Sequence, residues 1–577
     1  MNDRTKARFV KHVFAGCIRP MIAFAVLTVI WRQPMVAAEP TLTADKLFDR
    51  QHIVDIQIEL PEADWDTIRV QSRQFFEVLG KEPAESPFTY VKGQITIDGV
   101  LIKEVGIRKK GFLGSLDDHR PSLKVKFSEY KKQSPVIGLD RLTLNNNKQD
   151  PSGLSQYIAY KFFNDSGTYA PRCNLAKVTV NGKYLGIYSN VEPVKPAMLE
   201  RGFGDGSGAL FEGTITDFYI DFVEKFEKKN DQAKFGPLRK IADILAMDEV
   251  DIEELDKLIN IESFVRFWAT ESLLGFWDGY TNNQNNFFVY RNPADSRFYF
   301  IPWGADALFT ETMPLPPFFI RPRFVHNKAL LANRLYRIPQ IQQRYHDTLT
   351  QLMEKHWNET ELLAEVDLME SMLEDLVRDG NKSFSRSIRD IRRFIKSRQD
   401  TLLKEMEDGP VKLRSFARRP AYMKEVGHVT ATFETQWYDK TPQDTKELGT
   451  VEIELILDGE RVEFEKIGVY AEYSKFPPVP AGQPKPPSII FSGIRKSDGK
   501  EITLGIGLPI ADFHSTKNEP VGISGLLIVG RVGLFSKIRM GGGEATFENA
   551  AMKDGAVVKG KLTFTVTQMN LGGAANR

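Results

Sequence analysis

The chain has 577 residues, of which 42% are hydrophobic and 27% are charged, so it is long enough for about two or three globular domains. Its formal net charge is +1, and the first 38 residues alone hold six basic residues against one aspartate. The remainder is slightly acidic, which removes any electrostatic reason to expect nucleic acid as a partner. The sequence has no short-period repeat and no low-complexity tract, which argues against solenoid and fibrous classes.

The first 38 residues have the pattern of a secretion signal. A basic start is followed by an apolar run at residues 21–31 and by small residues at 36–38. The apolar run is too short to cross a bilayer, and small residues are typical of a cleavage position. We predict a signal peptide at 1–38 and a secreted, periplasmic or cell-surface protein without a stable transmembrane span. An uncleaved membrane anchor is the alternative.

The next part of the chain, residues 39–200, is predicted to be rich in strands. Residues 54–60, 93–99 and 122–127 alternate between apolar and polar side chains, which is typical of half-buried strands. Residues 154–164 have helical spacing. Asn181-Gly182 lies between two alternating runs and predicts a β-hairpin.

The rest of the chain divides into a helical part and a strand-rich part. We predict a helical part at 201–408, with helices over 250–260, 261–274 and 388–406 and one that opens at Asn358-Glu-Thr-Glu361 and ends at 377. Asp408-Gly-Pro410 breaks the pattern, so residues 409–427 are predicted to be a linker. Residues 428–577 are almost all strand and turn, which predicts an all-β domain, a sandwich.

Two aspartates and a group of asparagines carry the most chemical information. Asp278 precedes the asparagines of residues 282–286, and a strand, a turn and a second strand then lead to Asp306. Phosphoryl transfer needs a carboxylate that orients the acceptor hydroxyl and oxygen ligands for a divalent cation. We therefore predict that Asp278 is the catalytic base and that Asn286 and Asp306 are metal ligands. Asn285 is nearly as suitable as Asn286, and the alternative is that all are turn residues.

Several short motifs, taken together and in order, resemble the CotH family, the spore-coat-protein-H type of secreted atypical protein kinases. The resemblance extends from about residue 46 to residue 403. Its motifs are Gly106-Ile-Arg-Lys-Lys-Gly111, Ser122-Leu-Lys-Val-Lys-Phe127, Leu142-Thr-Leu-Asn145, Asp150, Gly182-Lys-Tyr-Leu-Gly-Ile-Tyr188 with Glu192, the segment from Asp278 to Asn286, and Pro302-Trp-Gly-Ala-Asp306.

The resemblance implies an α+β, two-lobed kinase-like fold that uses ATP and Mg²⁺ or Mn²⁺ to phosphorylate a protein on Ser or Thr. Residues 39–200 would be the strand-rich N-lobe and 201–408 the helical C-lobe. Lys124 would contact the nucleotide phosphates and act in catalysis, with Lys126 as the alternative. Gly111 would cover the phosphates. Glu192 would lie where the adenine is bound, or would be a structural ion-pair partner.

Two positions depart from the family pattern. Many relatives have an aspartate directly after the tryptophan, whereas this chain has Gly304. The first helix offers Gln156 where a glutamate that pairs with the lysine is expected. Both departures lower the support for turnover.

Four other functions compete with the kinase. The main alternative is a catalytically weak, kinase-like binding protein for cell-surface or coat assembly, and a second is transfer of AMP from ATP. The eight histidines have no metal-ligand spacing, which argues against a zinc hydrolase. Paired carboxylates of a glycoside hydrolase stay open, because their separation in space is not written in sequence. The acceptor protein and the ligand of the all-β domain are not specified by these patterns.

Overall fold

The computed structural model describes residues 41–73, 78–309, 324–377, 382–411, 413, 417–475, 485–516, 519–530 and 537–570. The predicted signal peptide at 1–38 lies outside these residues. The described residues from Leu42 onward belong to one compact unit with a mixed α+β architecture. Within the described part, no helix is both long and apolar enough to cross a membrane.

The first part of the chain forms a closed sheet of seven strands, in the order β2-β3-β4-β5-β7-β9-β8, in which β8 runs parallel to β2. The hairpin predicted at Asn181-Gly182 is confirmed, since both residues have the positive φ of a type I′ turn. The elements are β1 (Leu42–Thr43), α1 (Ala44–Leu47), β2 (Ile53–Glu59), α2 (Glu62–Val70), β3 (Val91–Ile97), β4 (Val100–Lys110), β5 (Ser122–Lys126), β6 (Val136–Ile137), β7 (Arg141–Asn145), α3 (Ser155–Asp165), β8 (Cys173–Val180) and β9 (Lys183–Val191).

Strand alternation sorts the side chains of β4 and β5 between the two faces of this closed sheet. Ile107 and Val125 are fully buried in its apolar interior. Their neighbours Arg108, Lys110 and Lys124 therefore lie on the outer face, and Arg108 is paired directly with Lys124. The sheet thus presents a row of cations on one outer surface.

The second part combines a four-stranded sheet, in the order β11-β10-β12-β13, with helices that share its apolar core. The predicted cap at Asn358 is confirmed, because its Oδ1 accepts the backbone N–H of Glu361 at 3.2 Å. The elements are α4 (Pro196–Phe203), β10 (Ala209–Gly213), β11 (Glu227–Lys228), α5 (Gly236–Ala246), α6 (Ile252–Asp256), α7 (Ile261–Leu273), α8 (Tyr280–Asn283), β12 (Phe287–Arg291), β13 (Phe298–Pro302), α9 (Leu330–Tyr336), α10 (Pro339–Lys355), α11 (Glu359–Leu373) and α12 (Lys382–Glu407).

The third part is one large sheet, and the prediction of a sandwich was wrong. The order is β16-β15-β14-β17-β18-β19-β20-β21-β22, and β14 also pairs with β22, so the sheet closes on itself. The 17-residue β14 makes this possible, since one edge pairs with β15 and β17 while the other pairs with β22. Closure leaves fewer open edges than two separate sheets. The strands are β14 (Tyr422–Tyr438), β15 (Thr450–Leu457), β16 (Glu460–Arg461), β17 (Phe464–Tyr473), β18 (Pro487–Arg495), β19 (Glu501–Gly507), β20 (Val521–Val529), β21 (Lys537–Asn549) and β22 (Val557–Asn570).

The predicted domain boundaries at residues 200 and 408 remain predictions. β14 begins at Tyr422, before the predicted start of the all-β domain at residue 428. The predicted linker at 409–427 therefore contains the first residues of a strand.

Candidate functional site

The loop after α7 holds the side chain of Asp278 in one orientation. Its Oδ1 accepts hydrogen bonds from the side-chain amides of Asn283 at 2.6 Å and Asn285 at 3.2 Å. Its Oδ2 accepts a third from the amide of Asn286 at 2.8 Å. Burial raises the pKa of Asp278, although the three amide donors favour the charged form. The fold therefore brings Asp278 and these asparagines together.

Glu271, near the end of α7, fastens this loop to the helix. Its carboxylate accepts the backbone N–H groups of Tyr280 at 2.9 Å and Thr281 at 2.8 Å, and the Thr281 hydroxyl at 2.5 Å. A Cβ at Gly279 would collide with Glu271 Oε1, so the loop needs a glycine there. Burial, with a smaller contribution from the charge of Asp278, raises the pKa of Glu271 to about 7. Sequence analysis did not identify Glu271, because its partners only become visible in the folded loop.

The β12–β13 hairpin carries the chain from Asn286 to Asp306. Beyond β13, the backbone N–H of Trp303 donates to the carbonyl of Asn286 at 3.0 Å. The N–H of Asp306 donates to the carbonyl of Gly304 at 2.9 Å, which forms a tight turn. The hairpin thus returns the second aspartate to the strand end where the asparagines lie.

Charges from three parts of the chain act on Asp306. Burial raises its pKa to about 7, and the carboxylates of Asp278 and Asp150 act in the same direction, whereas Lys110 opposes them. Asp150 lies before α3 and accepts the backbone N–H of Ser155, the first residue of that helix, at 2.7 Å. The surroundings of Asp306 therefore favour the arrival of positive charge.

The backbone at Gly304, the residue directly after the tryptophan, leaves little room for a side chain. Its φ is +54°, and a Cβ there would lie 2.7 Å from the side-chain Oδ1 of Asn286. The amide oxygen of Asn286 thus faces Gly304, while its nitrogen faces Asp278. The Oδ1 of Asn285 instead accepts the backbone N–H of Ile215 at 3.3 Å. The two asparagines that the sequence could not separate have different surroundings.

Lys110, on the outer surface of the closed sheet, lies within electrostatic reach of Asp306. Its Nζ donates to Asn145 Oδ1 at 3.0 Å. Burial lowers its pKa to about 8, and the carboxylates of Asp306 and Glu212 oppose that shift. Sequence analysis missed Lys110, although it belongs to a motif that was singled out there for its glycines.

Lys124 and Lys126, the two predicted phosphate-binding candidates, lie in different surroundings. Burial and the charge of Arg108 lower the pKa of Lys124 well below its ordinary value, and Glu212 opposes the shift. Lys126 Nζ instead makes an ion pair with Glu129 Oε2 at 2.6 Å. Because Glu212 also acts on Lys110, the structure groups Lys124 with Lys110 and not with Lys126.

Glu192 and Gly111, the other two predicted cofactor-binding residues, have different surroundings. The buried Glu192 makes ion pairs through Oε1 with Arg172 at 2.8 Å and through Oε2 with Arg201 at 2.7 Å. This arrangement matches the structural ion-pair alternative more closely than a contact to adenine. Gly111 directly follows Lys110, has a φ of +121°, and would collide with the Ser115 hydroxyl if it had a Cβ.

Helix α3 reaches the site through a tyrosine and not through Gln156. The Nε2 of Gln156 is 3.5 Å from Asn147 Oδ1, a long contact on the buried side of the helix. One turn later, the hydroxyl of Tyr160 faces the backbone of Gly304 and Ala305 and lies within electrostatic reach of Asp306. Sequence analysis missed Tyr160, since a buried tyrosine in an apolar helix gives no functional signal.

Curated relatives of this chain are proteins of spore coats and invasins. It is 26% identical over 198 residues to Invasin CotH2 of Rhizopus delemar, a match that covers 30% of this chain and 32% of the relative. It is 23% identical over 236 residues to Spore coat protein homolog 1 of the same organism, covering 37% and 38%. Inner spore coat protein H of Bacillus subtilis is 25% identical over 186 residues, covering 30% and 50%. The matches therefore span from about a third to half the length of these relatives.

The family model described as "CotH kinase protein" matches residues 107–402. The match begins at residue 107, whereas the predicted resemblance begins at about residue 46, and it contains every predicted site residue. It covers more than half of the chain. This protein belongs to the CotH family.

Proposed function

We propose that the protein is an ATP-dependent protein kinase that transfers the γ-phosphoryl group to a Ser or Thr hydroxyl of a protein. The observation that carries this proposal is the convergence of Asp278 and Asp306 with Lys110 at one site. Carboxylates opposite a lysine provide the charges that phosphoryl transfer requires. The closed sheet and the helical part would be the two lobes of a kinase-like fold.

Asp278 is the candidate base of this reaction. The acceptor oxygen attacks the γ-phosphorus, the bond from that phosphorus to the bridging oxygen of ADP breaks, and the hydroxyl proton passes to the Asp278 carboxylate. A raised pKa makes a carboxylate a better proton acceptor, provided that it remains ionised. The three amide donors keep the acceptor oxygens in a fixed direction.

Asp306 and Asn286 are the candidate ligands of Mg²⁺ or Mn²⁺. Among the residues that the structure describes, no group of three or more His, Cys, Asp or Glu side chains is arranged to hold a metal ion. Asp306 nevertheless fits a cation, because burial and, to a lesser extent, the carboxylates of Asp278 and Asp150 raise its pKa to about 7, and the amide oxygen of Asn286 lies beside the same turn. A bound cation would neutralise the negative charge of the nucleotide phosphates.

Lys110 and Lys124 are the candidate phosphate contacts. With a pKa of about 8, Lys110 is mostly protonated at neutral pH and carries the charge that phosphates need. Lys124 is a second candidate, because the charge of Glu212 acts on both lysines. Gly111 would allow the chain to turn directly after Lys110, above the phosphates. The ion pairs of Glu192 favour a structural role for its carboxylate.

The names of the relatives support a secreted or surface location, and they keep the main alternative open. In that alternative the chain is a catalytically weak binding protein of a coat or cell surface. Gly304 favours it, because the site lacks one carboxylate that many relatives have. The amount of negative charge available to a cation is therefore the property that decides between the two.

The test is to incubate residues 39–577 with ATP and Mg²⁺ or Mn²⁺, with and without a generic acceptor protein, and to weigh the products by intact mass spectrometry. Asp278→Ala and Asp306→Ala should abolish transfer. Asp295→Ala is the matched control, since Asp295 lies in the turn of the same hairpin and pairs with Arg297 there. A phosphoryl mass that disappears only in the first two variants supports the kinase. An added adenylyl mass would instead support transfer of AMP. If no mass is added and ATP does not bind in a metal-dependent manner, the kinase proposal fails and the binding-protein alternative is supported.

A further inference from the structure

The segment between α12 and β14 returns to the loop that carries Asp278. The guanidinium of Arg418 donates from Nη2 to Asn283 Oδ1 at 3.1 Å and to Gln284 Oε1 at 2.9 Å, and from Nε to the same Gln284 oxygen at 3.1 Å. In return, Gln284 Nε2 donates to the backbone carbonyl of Arg418 at 2.7 Å. The segment predicted to be a linker therefore makes four hydrogen bonds to two neighbouring residues of the loop.

These contacts orient the asparagine that holds Asp278. An amide has one oxygen and one nitrogen end, and the Arg418 guanidinium can only donate. The Asn283 oxygen must therefore face Arg418, which directs its nitrogen to Asp278 Oδ1 at 2.6 Å. The ionised Asp278 carboxylate can only accept, so both contacts select the same orientation of the Asn283 amide, and Arg418 holds its oxygen end.

Gln284 is fixed in the same way, from two sides. Its φ is +57°, so the loop reverses at this residue. Its Nε2 also donates to the buried carboxylate of Asp217 at 2.7 Å, and Asp217 accepts the hydroxyl of Tyr280 at 2.8 Å. Arg418 thus completes a buried polar network beneath the loop, and a partly satisfied network of this kind is costly.

Neighbouring contacts hold the segment in place. The hydroxyl of Tyr219 donates a hydrogen bond to the carbonyl of Ala417 at 3.1 Å. The guanidinium of Arg419 lies 4.7 Å from the centre of the Tyr219 ring. Arg419 also makes an ion pair with Asp221. These residues dock the segment without contacting the Asp278 loop.

We infer that Arg418 is a positioning residue for Asp278, so that the loop keeps its catalytic geometry only while the segment leading into β14 is docked on it. Arg418 lies beyond the residues matched by the family model, which end at 402. The kinetic part of this inference rests on the proposed function, whereas the structural part does not. The segment that leads into the C-terminal sheet would thereby control the geometry of the Asp278 loop through one side chain.

The experiment compares Arg418→Met with Arg419→Met in the protein of residues 39–577. Hydrogen–deuterium exchange of residues 278–286 is expected to speed up about tenfold in Arg418→Met and by much less in Arg419→Met, which removes one of several docking contacts and none to the loop itself. The kcat of phosphoryl transfer should fall about tenfold or more in Arg418→Met, with the KM for ATP within about twofold. Equal exchange in both variants and the unsubstituted protein, or equal loss in both variants, overturns the inference.

A second variant keeps the test decisive if Arg418→Met does not fold. Asn283→Ala cuts the link between Arg418 and Asp278 and leaves the contacts of Arg418 to Gln284. If Arg418→Met does not fold, Asn283→Ala alone should lower kcat about tenfold with the KM for ATP within about twofold, and an unchanged kcat would overturn the inference. If Arg418→Met folds, the double variant should lose no more activity than the more damaged single variant, since both changes act on one chain of contacts. Additive losses would contradict this. If the unsubstituted protein transfers no phosphoryl group, the proposed function fails, and the exchange comparison still decides the role of Arg418.

Discussion

The two sides of the candidate site are built by different means. The carboxylate side is a loop in which Asp278 receives three amide hydrogen bonds and Glu271 three more. The cation side is a sheet surface, where strand alternation and the pairing of β4 with β5 place Lys110 and Lys124. A loop fixed by many contacts suits atoms that must be placed closely for chemistry, whereas a row of lysines suits a mobile, highly charged ligand. Changes to the carboxylate side should therefore affect turnover, and changes to the cation side should affect nucleotide binding.

The largest effect is expected from Asp306→Asn on the carboxylate side. Removing this charge should lower kcat by about 10³-fold, a loss typical of a group that acts on charge in the transition state. The same change should stabilise the fold. The native state raises the pKa of Asp306 from 3.8 to about 7, so the native protein binds a proton more tightly than the unfolded chain, and its stability falls as pH rises through that window.

Thermal unfolding checks the second half of this prediction. Asp306→Asn should gain on the order of 1–2 kcal/mol at pH 8 and much less at pH 4, where the unfolded chain begins to bind the same proton. Asp295→Asn, in the exposed turn of the hairpin, should change neither kcat nor stability by a comparable amount. A loss of stability in Asp306→Asn at pH 8 would contradict the description of Asp306 as a crowded carboxylate.

The next effect is expected from Lys110→Met on the cation side. Loss of a charged hydrogen bond to phosphate should raise the KM for ATP by about 10–100-fold while kcat changes less. Lys126→Met is the matched control, because Lys126 is on the same strand face as Lys124 but pairs with Glu129. In the unsubstituted protein, Lys110 loses its proton as pH rises through about 8, so ATP affinity should fall between pH 7 and pH 9. That fall should be absent in Lys110→Met, and equal effects at Lys110 and Lys126 would refute the assignment.

A smaller effect on turnover is expected from substitution of Gly304, in the turn that precedes Asp306. Gly304→Ala puts a Cβ near the amide oxygen of Asn286 in a backbone conformation that costs about 1–2 kcal/mol for a non-glycine residue. Gly204→Ala has the same strain in open space, at the end of α4. Both variants should lose similar stability, but only Gly304→Ala should lose turnover and Mg²⁺ affinity, each by several-fold. Gly304→Asp should behave like Gly304→Ala, and a gain of turnover there would contradict the steric argument.

Much of the local structure could be read from the sequence. Alternation predicted β2, β3, β5 and the β8–β9 hairpin, and helical spacing predicted α3 and α7, with ends within a few residues of those observed. The strand–turn–strand pattern between Asn286 and Asp306 corresponds to the observed β12–β13 hairpin, which returns the chain towards its starting point. Closure of the two large sheets was not predictable, because it depends on pairing between strands far apart in sequence, such as β14 with β22.

The unpredicted parts of the site depend on the same long-range contacts. Lys110 is one of several strand lysines, and only the position of Asp306 and Glu212 in space distinguishes it. Lys124 is predicted through the family resemblance, and its buried setting near Glu212 becomes visible only in the fold. Arg418 is 134 residues from Gln284, and no local pattern connects them. Sequence reasoning found the carboxylates because a short segment encodes them, and it missed the partners that tertiary packing brings from elsewhere.

A second buried lysine, Lys225, separates the effect of burial on a lysine pKa from the effect of nearby carboxylates. Like Lys110, its pKa is lowered to about 8, but burial is the sole cause, and in the described part of the chain its Nζ has no hydrogen-bond partner. The native state therefore disfavours the charged amine, and below pH 8 this cost is present in full. As pH rises from about 8 to 10.5, the native amine has lost its proton while the unfolded chain still holds one, so the protein gains stability.

Lys225→Met should accordingly stabilise the protein by about 1–3 kcal/mol at pH 7, an advantage that shrinks towards pH 10.5, as denaturant unfolding at several pH values would measure. Its kcat and KM should equal those of the unsubstituted protein. Lys110→Met should show the reverse pattern, with a large change in KM. The contrast matters because both lysines have the same lowered pKa, yet only Lys110 has carboxylates facing it. If Lys225→Met also raised the KM for ATP, the facing carboxylates would not distinguish a phosphate-binding lysine from a merely buried one, and the assignment of Lys110 to the cation side would fail.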